Sequence, residues 1–314
     1  MASCETQLWD LVREIEPSQS QKDGAQRSHN YLRDVLDTGK MGSRILDSYL
    51  SGSYSRDTAI NPIDDVDIIF VIDPSMWKSS LLSVLSGPRL PPPQAVLDSF
   101  ANAIRYRYPV SSVYGQRRSV RLELNHLDID VVPAVETEDK MVIRIPDSES
   151  DSWIRTAPKK HAEFATAANK LRNGKFKPLV KLLKFWNSNL PSTARVKSFA
   201  IETMAVRIFM KTTFQTLEEG LLKFYSLVVK ISENSMYPLS TLPWVENFGI
   251  SLSWLECSVP DLAGTGSNTT AGVDEERRKR FIENTTRSRD KMVEAKKAIS
   301  ILTACKLVNQ ALRV

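Results

Sequence analysis

The sequence predicts an α/β protein, more narrowly α+β, in which a lobe with a mixed β-sheet is followed by a helical lobe. The chain has 314 residues, and 42% of them are hydrophobic, which is enough for two packed cores. Short apolar runs rich in β-branched residues recur between residues 67 and 145, whereas helical periodicity dominates from His161 onward. We therefore expect residues 1–158 to form the sheet lobe and residues 159–314 the helical lobe.

Two helices are predicted in the first 40 residues. One apolar stripe ends before Pro17, and a second ends at Gly39, a residue type that commonly follows a helix. We assign the first helix to the sheet lobe as a spine that reaches both lobes.

After these two helices, the spacing of the apolar residues changes from the helical period to that of β-strands. Residues 67–71, DIIFV, form a short apolar run typical of a buried strand. A helix is predicted over 94–106, and residues 119–124 and 127–132 alternate apolar and polar side chains like a pair of strands. Residues 141–145 can extend the same sheet.

The helical lobe ends in a basic helix. A flexible loop over 264–272 precedes it, and it begins near Asp274, where acidic residues suit the positive end of the helix dipole. From Asp274 to the end there are 11 Lys and Arg against 6 Asp and Glu, which accounts for the whole net charge of +5. Such a stretch can bind anionic ligands, although a solvated helix face is the simpler interpretation.

The cysteines and histidines predict neither a disulfide framework nor a zinc site. Cys4, Cys257 and Cys305 lie far apart in the sequence, and the three histidines form no pair. No apolar run resembles a signal peptide or reaches the roughly 18 residues of a membrane-spanning helix. We expect a soluble, cytoplasmic protein in which any essential metal is bound by oxygen.

Two acidic residues open the first predicted strand. Asp65 and Asp67 are spaced i, i+2, so their side chains lie on one face of the strand, about 7 Å apart along the backbone. Two such charges about 4 Å apart near a protein surface repel by ~4 kcal/mol, so a divalent cation between them best explains the pair. Oxygen ligands alone favour Mg²⁺ or Mn²⁺.

A Gly-Ser pair precedes these acids. At Gly52 and Ser53, backbone N–H groups can approach a phosphate closely, and the serine hydroxyl adds a donor. A third acid is expected on the strand LDIDVVP, residues 127–133. Asp128 and Asp130 share one face of it, and both are candidates by alternation alone, although a surface acid is the simpler interpretation of Asp128.

The ordered set GS, RDTAI and DVD resembles the nucleotidyltransferase superfamily that includes DNA polymerase β, the oligoadenylate synthetases and cyclic GMP-AMP synthase. The sequence is most similar in motif to the bacterial cGAS/DncV-like nucleotidyltransferases (CD-NTases), the cyclic oligonucleotide synthases of antiphage (CBASS) defence. Their third acid matches Asp130 in IDVVPA. Their GSY-x-R-x-T-x-I and DVD motifs match Gly52, Ser53, Tyr54, Arg56, Thr58, Ile60, Asp65 and Asp67.

The resemblance implies a polymerase-β-like nucleotidyltransferase lobe, an oligoadenylate-synthetase-like helical lobe and an active site in the cleft between them. It implies that Asp65, Asp67 and Asp130 are catalytic and bind two Mg²⁺ ions, for which Mn²⁺ can substitute. Gly52 and Ser53 would then bind the nucleotide phosphates.

In the helical lobe, the resemblance assigns Lys184 and Ser198 to the triphosphate and Phe199 to stacking on a base. The family's LLK-x-W helix and its Ser-aromatic pair carry this similarity, and a lysine charge and an aromatic face suit these roles. From the residues alone, a core position is the simpler interpretation of Phe199, and Lys181 can take the place of Lys184.

The implied activity is synthesis of a cyclic di- or trinucleotide second messenger from ATP, with or without GTP, with release of pyrophosphate. A downstream effector protein would sense the product. A template-independent transferase acting on RNA or another acceptor, and a non-catalytic nucleotide- or RNA-binding regulator, are the alternatives. The zinc-binding element of the animal synthase is absent from the sequence, which implies that DNA does not activate this protein through such an element. Base choice, linkage and oligomeric state stay open.

Overall fold

The chain divides into two compact units, which the computed structural model describes over residues 3–77, 90–233 and 259–313. One unit comprises residues 17–162, and the other comprises residues 1–16 together with residues 163–314. The first helix, α1 (Glu5–Ile15), therefore groups with the C-terminal helices, whereas the sequence analysis assigned it to the sheet lobe.

The unit of residues 17–162 contains the sheet. Its elements in chain order are α2 (Gln19–Thr38), β1 (Ile45–Ser51), α3 (Gly52–Ser55), β2 (Asp65–Ile72), α4 (Pro93–Arg107), β3 (Val113–Gly115), β4 (Val120–Glu123), β5 (Asp128–Glu136), β6 (Ile143–Asp147) and β7 (Ser152–Thr156). The strands are ordered β1-β2-β5-β4-β3, and β6 continues from β5 to β7. Because β2 and β5 are parallel and the other pairs are antiparallel, the sheet is mixed, as the sequence predicts.

One face of the sheet packs against α2 and α4. Leu32 of α2, Phe100 of α4 and Phe70 of β2 belong to the same buried cluster, and the two phenylalanine rings lie 5.7 Å apart. On the opposite face, Ile69 and Val132 belong to a second, smaller cluster. The central strands are thus covered on both sides, which explains their nearly continuous apolar runs.

Helix caps explain where two of the predicted helices begin. The Ser18 hydroxyl accepts a hydrogen bond from the Gln21 backbone N–H, and the Gln21 side chain accepts one from the Ser18 N–H. This capping box starts α2 directly after Pro17. The Asp274 carboxylate accepts a hydrogen bond of 2.7 Å from the Arg277 N–H and starts the basic C-terminal helix where the sequence predicts it.

The second unit is helical. After α1 it contains α5 (Pro158–Leu171, which crosses the division between the units), α6 (Phe176–Asn189), α7 (Ser198–Phe209), α8 (Leu217–Glu233), α9 (Glu275–Lys297) and α10 (Ile301–Leu312). Trp186 of α6 is fully buried, and its indole N–H donates to the Ser288 hydroxyl of α9 at 2.9 Å. Its ring also contacts Tyr225 of α8 and Phe281 of α9, so three helices pack around one tryptophan. In the part of the chain that the structure describes, no helix is both long and apolar enough to cross a membrane.

The structure contains a disulfide, although the sequence analysis predicts no disulfide framework. Cys4, directly before α1, and Cys305 of α10 form a disulfide with a Cα–Cα distance of 5.3 Å. The cysteines are 301 residues apart in sequence, so only the packing of both chain ends into the helical unit brings them together. Cys257 lies outside the described residues.

Replacing Cys305 by Ser should lower the melting temperature under non-reducing conditions, because the disulfide restricts the unfolded chain. A cross-link that closes so long a loop stabilises by about 2–5 kcal/mol. Thermal denaturation of the wild type and the variant, each with and without a reductant, measures the effect. The reductant should lower the melting temperature of the wild type to that of the variant and should leave the melting temperature of the variant unchanged. Equal melting temperatures without reductant would contradict a stabilising role for this bond.

Candidate active site

Asp65 and Asp67 lie where the sequence predicts them, at the start of strand β2. Val66 between them and Ile68 after them are fully buried, whereas both aspartates are half-buried. Since side chains alternate along a strand, both carboxylates extend from the sheet face opposite to the helices α2 and α4. The strand therefore keeps the acids at the edge of the core.

The pairing of β5 with β2 brings the third acid to the same place. In this parallel pair, Asp130 is the register partner of Asp67, and Asp128 is the partner of Asp65. Asp130 is buried, with 7% of its surface exposed, and Asp128 is half-buried. Four carboxylates from two neighbouring strands thus share one end of one sheet face.

Gly52 contacts the carboxylate of Asp67. Its φ is +69°, in the left-handed region that favours glycine, and a Cβ atom built on it would lie 1.8 Å from Asp67 Oδ2. The register of β1 with β2 explains the contact, because Ser51 pairs with Asp67. The sequence predicts a phosphate turn and a carboxylate pair, and the sheet places them side by side.

The segment after the Gly-Ser turn folds back onto it. The Thr58 backbone N–H donates to the Ser53 carbonyl oxygen at 3.0 Å, and Thr58 is fully buried. The buried Arg56 carries a positive charge that lowers the pKa of Asp67. Asp57 has a φ of +57°, which is a conformation that aspartate tolerates better than most side chains.

Arg121 is a residue of this site that the sequence analysis missed. It lies on β4, opposite Asp130 in the antiparallel pair of β4 with β5. Its Nε donates to Asp130 Oδ1 at 3.0 Å and its Nη2 to Asp130 Oδ2 at 2.7 Å. Its Nη1 donates to Asp128 Oδ2 at 3.2 Å, and its Nη2 lies 3.9 Å from Asp65 Oδ2. A cation at the centre of the strand VRLE, next to a strand with two acids, was the available signal.

The electrostatics show an excess of negative charge. Burial raises the pKa of Asp67 to about 7, and the neighbouring Asp65 and Asp130 contribute to this rise, against the lowering effect of Arg56 and Arg121. Burial also raises the pKa of Asp65, with Asp130 as the next cause. The hydrogen bonds to Asp130 raise the pKa of Arg121, whose charge is therefore firmly kept.

The donor set suits a divalent cation. All the candidate ligands are carboxylate oxygens, which Mg²⁺ and Mn²⁺ prefer, and their mutual repulsion favours an added cation. As they stand, no three acidic, histidine or cysteine side chains in residues 3–77, 90–233 and 259–313 are grouped closely enough to bind a metal. Arg121 is hydrogen-bonded to two of the four carboxylates instead. Asp65, Asp67 and Asp130 fit a metal centre chemically.

The candidate residues of the helical unit lie on α6 and at the start of α7. Lys184 is 4% exposed, and its Nζ lies 3.1 Å from the carboxylate of the equally buried Glu202. The Nζ of Lys181 lies 3.4 Å from Glu16. Ser198, the first residue of α7, is exposed, and Phe199 is half-buried. Both can meet a ligand, whereas the ion pair with Glu202 already occupies the charge of Lys184.

The family model "Second Messenger Oligonucleotide or Dinucleotide Synthetase domain" (SMODS) matches residues 2–169. This chain belongs to the SMODS family. A cyclic AMP-AMP-AMP synthase from Acinetobacter is 31% identical to it over 255 residues, which are 78% of this chain and 69% of that protein.

Solved structures show the same fold. The Escherichia coli CdnC structure with ATP has a TM-score of 0.73 at 20% identity, covering 100% of this SMODS protein and 99% of CdnC. The Vibrio cholerae dinucleotide cyclase DncV has a TM-score of 0.68 at 12% identity, covering 96% and 92% of the two chains. These similarities confirm the predicted polymerase-β-like fold. The family match and the Acinetobacter relative confirm the predicted CD-NTase of the CBASS type, a synthase of a cyclic oligonucleotide second messenger.

Replacing Gly52 by Ala should reduce nucleotidyl transfer by about a hundredfold, because the new Cβ atom would displace the Asp67 carboxylate. Gly174→Ala is the matched control: its φ of +79° imposes the same backbone cost of about 1–2 kcal/mol, but no atom lies within 4 Å of the added Cβ. Initial rates of pyrophosphate release and urea unfolding of both variants separate the two effects. Equal rates in the two variants would show that the contact with Asp67 has no role.

Without metal, raising the pH should destabilise the wild type more than Asp67→Asn. The pKa of Asp67 in the folded protein is about 7, above its ordinary value of 3.8, so folding favours the protonated form. This stabilisation is present at low pH and is lost as the pH rises from that ordinary pKa through 7, by about 1.4 kcal/mol for each pH unit. Asparagine resembles the protonated acid and should keep the stabilisation at pH 8. Urea midpoints in EDTA at pH 5.5 and pH 8 measure this, and the same pH dependence in both proteins would contradict it.

Proposed function

We propose that this SMODS protein makes a cyclic trinucleotide from three molecules of ATP, with release of pyrophosphate, at a site built on Asp65, Asp67 and Asp130. The observation that carries the proposal is the parallel register that sets Asp130 beside Asp67 and next to the Gly-Ser turn. The choice of ATP and of ring size is supported by the 31% identity to a cyclic AMP-AMP-AMP synthase over 78% of the chain.

The three carboxylates would bind two Mg²⁺ ions. Bound there, the ions would lower the pKa of the attacking ribose hydroxyl and offset the charge that develops on the phosphates. The ribose oxygen bonds to the α-phosphorus as the bond from that phosphorus to the pyrophosphate oxygen breaks. Asp130, the most buried of the three acids, would accept the hydroxyl proton.

The Gly-Ser turn would bind the triphosphate of the donor nucleotide. At Gly52 the absence of a side chain lets the Asp67 carboxylate lie directly against the turn, and the half-buried Ser53 can donate its hydroxyl hydrogen to a phosphate oxygen. Phosphates bound at this turn would therefore lie close to the metal-binding carboxylates.

In the helical unit, the exposed Ser198 would donate to a phosphate, and Phe199 would stack on a base. Lys184 stays a predicted phosphate ligand, and it would have to leave Glu202 to act as one. The cleft between the lobes, the downstream effector and the cytoplasmic location stay predictions as well.

Asp65→Asn and Asp67→Asn should each reduce product formation by at least about a hundredfold, because each removes a carboxylate that binds a metal ion. Asp128→Asn makes the same change in charge on the neighbouring position of the cluster and should retain activity. The assay incubates each purified protein with the four radiolabelled nucleoside triphosphates and Mg²⁺ or Mn²⁺, followed by phosphatase treatment, chromatography and mass spectrometry.

The wild type should form a phosphatase-resistant product that contains only adenine. A cyclic product of another base composition would overturn the choice of ATP as the only substrate, but it would agree with the activity of a cyclic oligonucleotide synthase. In a second incubation with cellular RNA, labelled nucleotides added to the end of the RNA would favour the template-independent transferase. Full activity of Asp67→Asn would overturn the assignment of the carboxylates.

A further inference from the structure

Arg121 binds the carboxylate to which the proposed function assigns a metal ion. Both oxygens of Asp130 accept hydrogen bonds from its guanidinium, at 3.0 Å and 2.7 Å. The third nitrogen, Nη1, donates to Asp128 at 3.2 Å, and Asp65 lies 3.9 Å from Nη2. A single guanidinium thus faces three of the four clustered carboxylates.

We propose that Arg121 is an internal counter-cation, which binds Asp130 in the metal-free enzyme and must release it when a divalent cation binds. Arg121 would then set the metal concentration that the enzyme needs. The inference rests on the proposed function, since it takes Asp130 as a metal ligand.

Geometry makes the two cations competitors. The planar fork of an arginine matches the two oxygens of a carboxylate, so the bidentate pair uses the oxygens that a metal ion requires. In the described parts of the chain, no three acidic, histidine or cysteine side chains are grouped as a metal site. A metal ion at Asp130 would also lie close to the charge of Arg121 and would be repelled by it.

The surroundings leave the guanidinium room to move. The side chain of Arg121 is 23% exposed, whereas that of Asp130 is 10% exposed. The arginine can therefore swing towards solvent on its flexible stem, whereas the aspartate is fixed by its strand and by burial. In an exchange of cations, Arg121 is the group that moves.

A purely structural role makes the opposite prediction. If Arg121 only cross-links β4 to β5 and orders Asp130, its removal should loosen the carboxylates and weaken metal binding. If it competes with the metal, its removal should strengthen metal binding although the metal-free protein becomes less stable. The sign of the change in metal affinity separates the two roles.

The experiment measures Mn²⁺ binding by electron paramagnetic resonance of the free ion, without nucleotide, at pH 8. Arg121→Gln should bind Mn²⁺ at least about tenfold more tightly than the wild type. Arg121→Lys keeps the positive charge but lacks the planar guanidinium, so its Mn²⁺ affinity should lie between those of the wild type and Arg121→Gln. Arg118→Gln is the matched control, because Arg118 binds the buried Asp147 in the same unit through two nitrogens and should leave Mn²⁺ binding unchanged.

The melting temperature gives a second readout. In EDTA, Arg121→Gln should melt below the wild type, and saturating Mn²⁺ should raise its melting temperature by more than that of the wild type. Unchanged or weaker Mn²⁺ binding by a folded Arg121→Gln protein would overturn the role of Arg121. Mn²⁺ binding that survives Asp67→Asn unchanged, or that no variant shows, would instead overturn the proposed metal site.

Discussion

The parallel pairing of β2 with β5 is the constraint on which the site depends. Its register is set by apolar residues, since Val66, Ile68, Ile129 and Val131 all lie in the core under α2 and α4. A slip of one residue would turn the acids of one strand into that core and its apolar residues towards solvent. Burial of side chains that take no part in the chemistry therefore places Asp130 beside Asp67.

This placement has an electrostatic cost within the same fold. Clustered carboxylates repel one another, and burial raises the pKa of Asp67 to about 7. Two arginines reduce the cost from different directions: Arg56 from the segment after the Gly-Ser turn, and Arg121 from strand β4. This end of the sheet face thus combines acidic residues, which suit a metal cation, with arginines that hold these acids in place when no metal is bound.

Features of the fold and the site that depend on neighbouring residues in the sequence could be predicted, whereas features that depend on contacts between distant residues could not. The strands around Asp65 and Asp130 and the start of α9 at Asp274 follow from local patterns, namely alternation and acidic residues at a helix start, and were predicted. The pair Arg121–Asp130 joins two strands that the sequence predicts as neighbours, and it was missed because only the acids there were considered. The pair Cys4–Cys305 depends on which distant segments become neighbours, and no local pattern encodes that. The same reason explains why α1 groups with the C-terminal helices although the unit of residues 17–162 follows it directly in sequence.

The ion pair of Lys184 with Glu202 is similar to that of Arg121 with Asp130. In both cases a motif residue expected to meet a charged ligand meets an opposite charge of its own unit instead. Burying an isolated charge is far more costly than burying a pair, so a site built for charged ligands needs internal partners in their absence. Lys184 and Glu202 are 4% and 3% exposed, so breaking that pair would leave two buried charges. Arg121 is partly exposed, so a metal ion can replace it at a lower cost in free energy. The end of the sheet face that carries the four carboxylates is therefore the place where a ligand can replace an internal charge.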